Sequence, residues 1–234
     1  MLRLFAMLSC LGCGLMVSAQ NDTMHENSIN AAYNRQIALT GDLYYGREHT
    51  GYPQKLTGTP YYNSNDWQKG TVVFNGRLYE GVNLKYDLIT DQLIVLHPNN
   101  FFAVTLFPEK VSSFTIGNDQ FIYVPANNAA GIKQPGFYLQ LASGKLTILA
   151  KRSKRIEEAT TTGELERTVV ESASYWAVKN GVAYPIGGEE SVLALVDEQA
   201  RQIRATLREK GIRFRKAKEA ALLEIATIYN QSAD

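Results

Sequence analysis

Cysteine is nearly absent from this chain of 234 residues: there are two, Cys10 and Cys13. Both lie in an N-terminal apolar run that is expected to be removed. The remaining chain would then have no disulfide, no thiolate nucleophile and no cysteine-ligated metal. Histidine is also scarce, with only His25, His49 and His97. No HExxH and no pair of histidines at metal spacing occurs, although aspartates and histidines distant in sequence could still converge in space. GxGxxG and GxxxxGK[ST] are missing, so no phosphate cradle is indicated. GxSxG is missing too, and no SxxK stands before a helix with its usual partners. Charge of one sign is not in excess: 24 Lys and Arg face 23 Asp and Glu, a formal net of +1. Bulk charge therefore does not point to nucleic acid, and no RNA- or DNA-binding motif occurs. After the first 19 residues no stretch is long and apolar enough to span a membrane.

The chain opens MLRLFAMLSCLGCGLMVSAQ. Arg3 forms a short basic region, Leu4 to Val17 is almost unbroken apolar sequence, and Val17-Ser18-Ala19 suits a cleavage site. This pattern predicts a secretory signal peptide cut after Ala19, leaving 215 residues that start at Gln20. The rival is a lipoprotein signal acylated at Cys10 or Cys13. Neither cysteine has the usual leucine three positions before it, and the apolar run continues past both. Export would place the protein in the periplasm or outer envelope. A chain of this length without disulfides can build one adequate core.

Residues 20–35 are polar and lack a sustained period, as expected of a mobile leader. Residues 36–234 are expected to form a single α+β domain, β-rich over 36–187 and helical over 188–230. The stretch 36–69 should be ordered but irregular. "TVVF" then leads into Asn75-Gly76, the pair best suited to a type I′ hairpin turn. On the return strand Leu78, Val82, Leu84, Tyr86 and Leu88 alternate onto one face, with Glu80 the exception. Further strands are expected at 101–107, 111–116, 120–124, 137–141, 146–151, 173–178 and 182–186, joined by short turns into an antiparallel β-meander with a curved sheet. The polar run KRSKRIEEATTTGELER reads as an exposed excursion. Beyond Gly187-Gly188, Val192, Val196, Ile203 and Leu207 recur at helical spacing, predicting an amphipathic helix of about five turns with Gly211 after its end. A second helix is expected from about Ala217 to Asn230, with Leu222, Ile225, Ala226 and Tyr229 on one side.

The segments "LYYGREHTGY", "GTPYYNSNDWQKGTVVFNGRLYEGVNLKYDLITDQLIVL", "KVSSFTI", "GFYLQL" and "LLEIATIYN" resemble an uncharacterised family of exported proteins common in Bacteroidetes. The resemblance covers most of the chain after the signal and is most specific from Gly58 to Leu96. It implies export in a Gram-negative cell. It supplies no activity and no catalytic residues.

Three features are candidates for function. Tyr44, Tyr45, Tyr61, Tyr62 and Trp67, with Tyr52 among them, cluster within 24 residues. Exposed rings of this kind can bind sugars or peptides, while buried ones would pack the irregular segment onto the sheet. Arg201, Arg204, Arg208 and Arg215 belong to a basic run, and the first three share a helical face. In an exported protein such a face suits an anionic lipid, a glycan or an acidic envelope protein, or it is simply solvated. A second basic group is formed by Lys151, Arg152, Lys154 and Arg155. Glu80 could be half of a carboxylate pair, or an exposed residue near a strand end. No cofactor is indicated. These residues favour a non-enzymatic envelope protein that binds a lipid, glycan or protein partner. The alternatives are an unrecognised hydrolase with a carboxylate site and a structural or assembly subunit.

Overall fold

A computed structural model of the chain describes residues 41–161 and 164–232. The expected signal segment and leader lie outside the described residues. The fold is α+β: an open antiparallel sheet of 11 strands followed by helices. The strands are β1 (Arg47–Glu48), β2 (Gln68–Phe74), β3 (Arg77–Asp87), β4 (Gln92–Leu96), β5 (Ala103–Thr105), β6 (Val111–Ile116), β7 (Asp119–Val124), β8 (Gly136–Ala142), β9 (Leu146–Thr161), β10 (Glu164–Lys179) and β11 (Val182–Pro185). Their spatial order is β1-β5-β4-β3-β2-β6-β7-β8-β9-β10-β11. The meander is therefore interrupted twice: β1 lies beside β5 rather than β2, and the chain leaves β5 and returns along the free edge of β2. A single 3-10 turn at Pro108–Lys110 makes that return.

Asn75 and Gly76 adopt φ of 49° and 75°, the left-handed pair that a tight hairpin turn requires. The alternation beyond them is broken. Gly70 pairs with Val82 and Val72 with Tyr79, so β3 carries one extra residue, and Gly81 absorbs it at φ 67°. The bulge shifts the pleat by one. Tyr79 packs inward, Leu78 is 56% exposed, and Glu80 stands in solvent. Leu78 is thus not on the core face that strict alternation gave it.

The exposed excursion is a regular structure. β9 and β10 pair without a break from Leu146–Lys179 to Thr161–Glu164, forming two arms of 16 residues each. Only the base of this ribbon belongs to the wider sheet. β8 pairs with β9 up to Ala150, and β11 with β10 as far as Trp176. Beyond that point Lys154 N–H donates to Leu88 O, and further out Thr57 braces the ribbon, accepting from Val169 N–H and donating its own N–H to Arg167 O. At about 3.3 Å per residue, 16 residues span about 50 Å.

The predicted five-turn helix is broken. α1 (Glu189–Leu193) passes into a 3-10 stretch (Ala194–Gln199) before α2 (Ala200–Glu209), and Val196 leaves helical geometry at φ −121°, ψ 34°. The break lets Val192, Leu193, Val196, Ile203 and Leu207 all reach one core. Gly211 ends α2 at φ 67°. Its N–H donates to Arg208 O, and Ile212 N–H donates to Leu207 O, the paired bonds of a Schellman cap. α3 (Lys218–Gln231) packs on β8, β9 and α2 through Ala221, Leu222, Ile225 and Ala226.

One face of the sheet holds the main core, where Tyr86, Phe114, Phe121 and Phe137 interlock at ring separations of 4.7–5.8 Å. Both sheet edges are blunted. β1 has two residues, and β11 ends in Pro185 while Ala183 N–H already donates to Ala130 O. Where β2, β3 and β6 meet, Gly70 has no room for a side chain, because a Cβ would overlap the Thr115 carbonyl oxygen and the Leu84 side chain. Gly70→Ala is expected to cost about 2 kcal/mol or more, measured as a lower urea midpoint at unchanged m-value.

Candidate functional site

The aromatic segment is fastened to the sheet residue by residue. Tyr61 and Tyr62 are 8% and 6% exposed. Tyr62 Oη donates to Asp119 Oδ2 at 2.7 Å, and its ring meets Phe121 edge-on at 5.0 Å. Tyr61 Oη lies 3.0 Å from His49 Nε2. Tyr44 is half-buried and meets His97 at 5.0 Å. Trp67 and Tyr61 share one cation: Lys85 Nζ sits 4.5 Å from the Trp67 ring centroid and 5.0 Å from that of Tyr61. One face of Trp67 is thus engaged by the chain's own lysine. Of the five aromatic candidates, Tyr45 alone is largely exposed, at 71%.

Beside this segment lies a surface cleft of about 300 Å³, lined by residues that include Arg47, His49, Tyr52, Asp87 and Gln92. Asp87 is buried, and both of its oxygens are used. Oδ2 accepts from Tyr52 Oη at 2.8 Å, while Oδ1 accepts from the N–H groups of Ile89 and Thr90. Burial pushes the His49 pKa below its ordinary value, Asp87 opposing and Lys85 and Arg47 assisting. Burial and the bond to Asp87 push the Tyr52 phenol up. The cleft thus presents an imidazole whose protonation burial disfavours, beside a carboxylate whose two oxygens are both engaged. Among the described residues no three His, Cys, Asp or Glu side chains converge as a metal would need. Glu80, the carboxylate singled out in the sequence, lies exposed at the bulge of β3.

The two basic groups have different fates. Lys151 is buried and donates to Asp91 Oδ2 at 2.5 Å and to Phe137 O at 3.1 Å. Tyr86 Oη donates to the other Asp91 oxygen at 2.6 Å. Burial lowers the Lys151 pKa, and Asp91 opposes the shift. Arg152 is held by both oxygens of Glu219 at 2.7 and 2.8 Å. Lys154 Nζ donates to the carbonyls of Thr59 and Tyr61. These cations face inward and hold layers together. Arg155, the fourth of this group, is exposed and pairs with Glu157.

The helical group faces outward. Arg201, Arg204 and Arg208 lie on the exposed side of α2, beside the buried Ile203 and Leu207. Arg204 pairs with Glu190 at 2.6 Å. Arg201, Arg208, Arg213, Arg215 and Lys216 are exposed, with no carboxylate partner among the described residues. Arg201 and Arg208, seven residues apart, share one side of α2, and Arg213, Arg215 and Lys216 are exposed in the turn that follows it. Sequence reasoning missed an opposite feature, Glu164 and Glu166 near the end of the β9–β10 ribbon. Both are exposed and likewise unpaired among the described residues. The threonine run and Gly163 between charged flanks could have marked a hairpin there. Comparison with protein-family models, curated proteins and solved structures finds no match.

Burial holds the phenols of Tyr138 and Tyr175 up to about 12, aided by Asp91 at Tyr138 and by a hydrogen bond to Glu219 at Tyr175. A group whose pKa is raised on folding contributes stability that is complete below its unfolded pKa, about 10, and is lost as pH rises toward 12. The urea midpoint is expected to fall between pH 10 and 12. Tyr175→Phe should flatten that fall, read by denaturation at stepped pH.

Proposed function

We propose that this chain is an exported, non-enzymatic binding protein that docks an acidic protein surface on the cationic side of α2 and the turn that follows it. The observation that carries this reading is the set of five exposed cations, Arg201, Arg208, Arg213, Arg215 and Lys216, left without carboxylate partners among the described residues. Exposed cations with no internal partner, two on α2 and three in the turn after it, keep their field available for an outside anion. An acidic protein suits them better than the other anionic partners. The larger apolar residues of α2, Ile203 and Leu207, are buried in the core that the helices share with β9 and β10, so this helix has no apolar face to lay into a lipid surface. The stacking faces of Trp67 and Tyr61 are shared by Lys85, which disfavours a glycan platform there. The main core is filled by interlocked aromatic rings, which disfavours a lipid-carrying cavity. Export rests on the apolar run before Ala19.

Binding of polyglutamate to the purified chain is the direct test. Affinity should fall steeply with salt, and Arg201→Glu with Arg208→Glu should weaken binding by about tenfold or more without changing the thermal unfolding midpoint. Salt-insensitive binding, or binding indifferent to both substitutions, would remove the reading. The intact mass of the protein taken from its own host tests export separately. A chain starting at Gln20 is expected, and an uncleaved Met1 start would count against it.

A further inference from the structure

We propose that the acidic partner of the cationic α2 surface is the β9–β10 ribbon of a second copy of this chain, so that copies associate head to tail. The inference rests on the binding reading above and names its partner. Three observations converge on it.

First, the charge is divided between two places. From Arg155 to Glu171 the ribbon carries five acidic side chains against two basic ones, and from Arg201 to Lys218 the chain carries eight basic against one acidic. Second, the pairing within each region leaves a remainder. At the base of the ribbon Glu171 pairs with Arg152 and Lys154, and further out Glu158 pairs with Arg167 and Glu157 with Arg155. Glu164 and Glu166 remain, on the same face as each other by the two-residue period of a strand. On the helical side Arg201, Arg208, Arg213, Arg215 and Lys216 remain. Third, the ribbon is built to reach outward. Its arms are hydrogen-bonded to each other along their whole length, and past the brace at Thr57 no strand or helix of the described chain lies beside it. A two-stranded ribbon with neither face covered is marginal in water, so covering it stabilises it. Among the described residues no ion pair joins the outer ribbon to the helices, so the opposite charges meet between molecules.

The donor and acceptor surfaces are different parts of the chain, so the contact is heterologous. Association then continues past a dimer unless the rotation between neighbours closes a ring. It should also be salt-sensitive, because both surfaces are exposed and the screening length is about 10 Å at 0.1 M salt.

Sedimentation equilibrium of the protein purified from its own host, at low and high salt, tests this with two charge-reversed variants. One carries Glu164→Lys and Glu166→Lys, the other Arg201→Glu and Arg208→Glu. All four positions are exposed and have no ion-pair partner among the described residues, and unchanged circular dichroism confirms folding. The wild type is expected to gain mass beyond a dimer as concentration rises at low salt, and to return to monomer at high salt. Each variant alone should stay monomeric. Their equimolar mixture should associate again, because the reversed ribbon of one now complements the reversed helix of the other. A wild type that is monomeric at low salt, a ribbon variant that associates as the wild type does, or a mixture that stays monomeric would each overturn the proposal. A monomeric wild type that still binds polyglutamate through Arg201 and Arg208 would sink self-association and leave the acidic-partner reading standing. Loss of both would sink both.

Discussion

The buried ion pair between Lys151 and Asp91 is the constraint on which the shape of the sheet depends. Asp91 lies in the turn after β3, and Lys151 lies on β9. Four strands separate β3 from β9 in the order of the sheet. At about 4.8 Å per strand a flat sheet would hold them about 24 Å apart. They meet instead, and Lys154 N–H on β9 donates to Leu88 O at 2.9 Å just beyond β3. The sheet therefore curls around Tyr86, Phe114, Phe121 and Phe137 until its two halves touch. Gly136 permits the contact, since a Cβ there would overlap both Asp91 and Lys151. A charge this buried is tolerated because Asp91, the Phe137 carbonyl and the Tyr138 ring all face it. Removing one partner of such a pair leaves the other uncompensated, at a cost of about 3–5 kcal/mol.

That curl explains why β9 and β10 continue alone. Once β9 has met the turn after β3, β8 has ended and no strand is left to extend the sheet. The inner cations are used up at this junction. Lys151, Arg152 and Lys154 each join two layers, and Arg152 ties the sheet to the start of α3 through Glu219. The aromatic segment does the same on the opposite side of β3, with Tyr61 and Tyr62 seated in different clusters although they are adjacent in sequence. Successive residues of an extended chain point to opposite sides, so one Tyr-Tyr pair pins the segment in two directions.

What the sequence made legible was local. Asn75-Gly76, Val111–Ile116 and Gly211 each specify geometry through their own backbone preferences, and each was read correctly. The misreadings arose where a distant partner decides. A single bulge at Gly81 moves Leu78 outward and Tyr79 inward, and nothing in the apolar pattern announces it. Val196 keeps helical spacing in sequence but breaks the helix, because its neighbours must wrap a core built from β9 and β10. The outer ribbon looked like a loop because neither of its faces is buried, so the two-residue alternation that marks a strand is missing. At the candidate site, the shared face of Arg201, Arg204 and Arg208 followed from helical spacing alone. That Arg204 is bound to Glu190, and that the Lys151 to Lys154 group turns inward, depended on residues 14 and 60–95 positions away.

The near-neutral total charge is the least informative number in this chain. A net of +1 conceals an acidic ribbon and a basic helical surface, and a field acts from where charges stand, not from their sum. Two opposite surfaces on one soft chain would collapse onto each other and cancel. Here the ladder that joins β9 to β10 fixes one of them at the end of a projecting element, and the packing of α2 and α3 on the sheet fixes the other. The scaffold that keeps the charges apart within a molecule is what leaves them available between molecules. The stability of the curled sheet and the proposed binding would then depend on the same feature, the point at which β9 leaves the core.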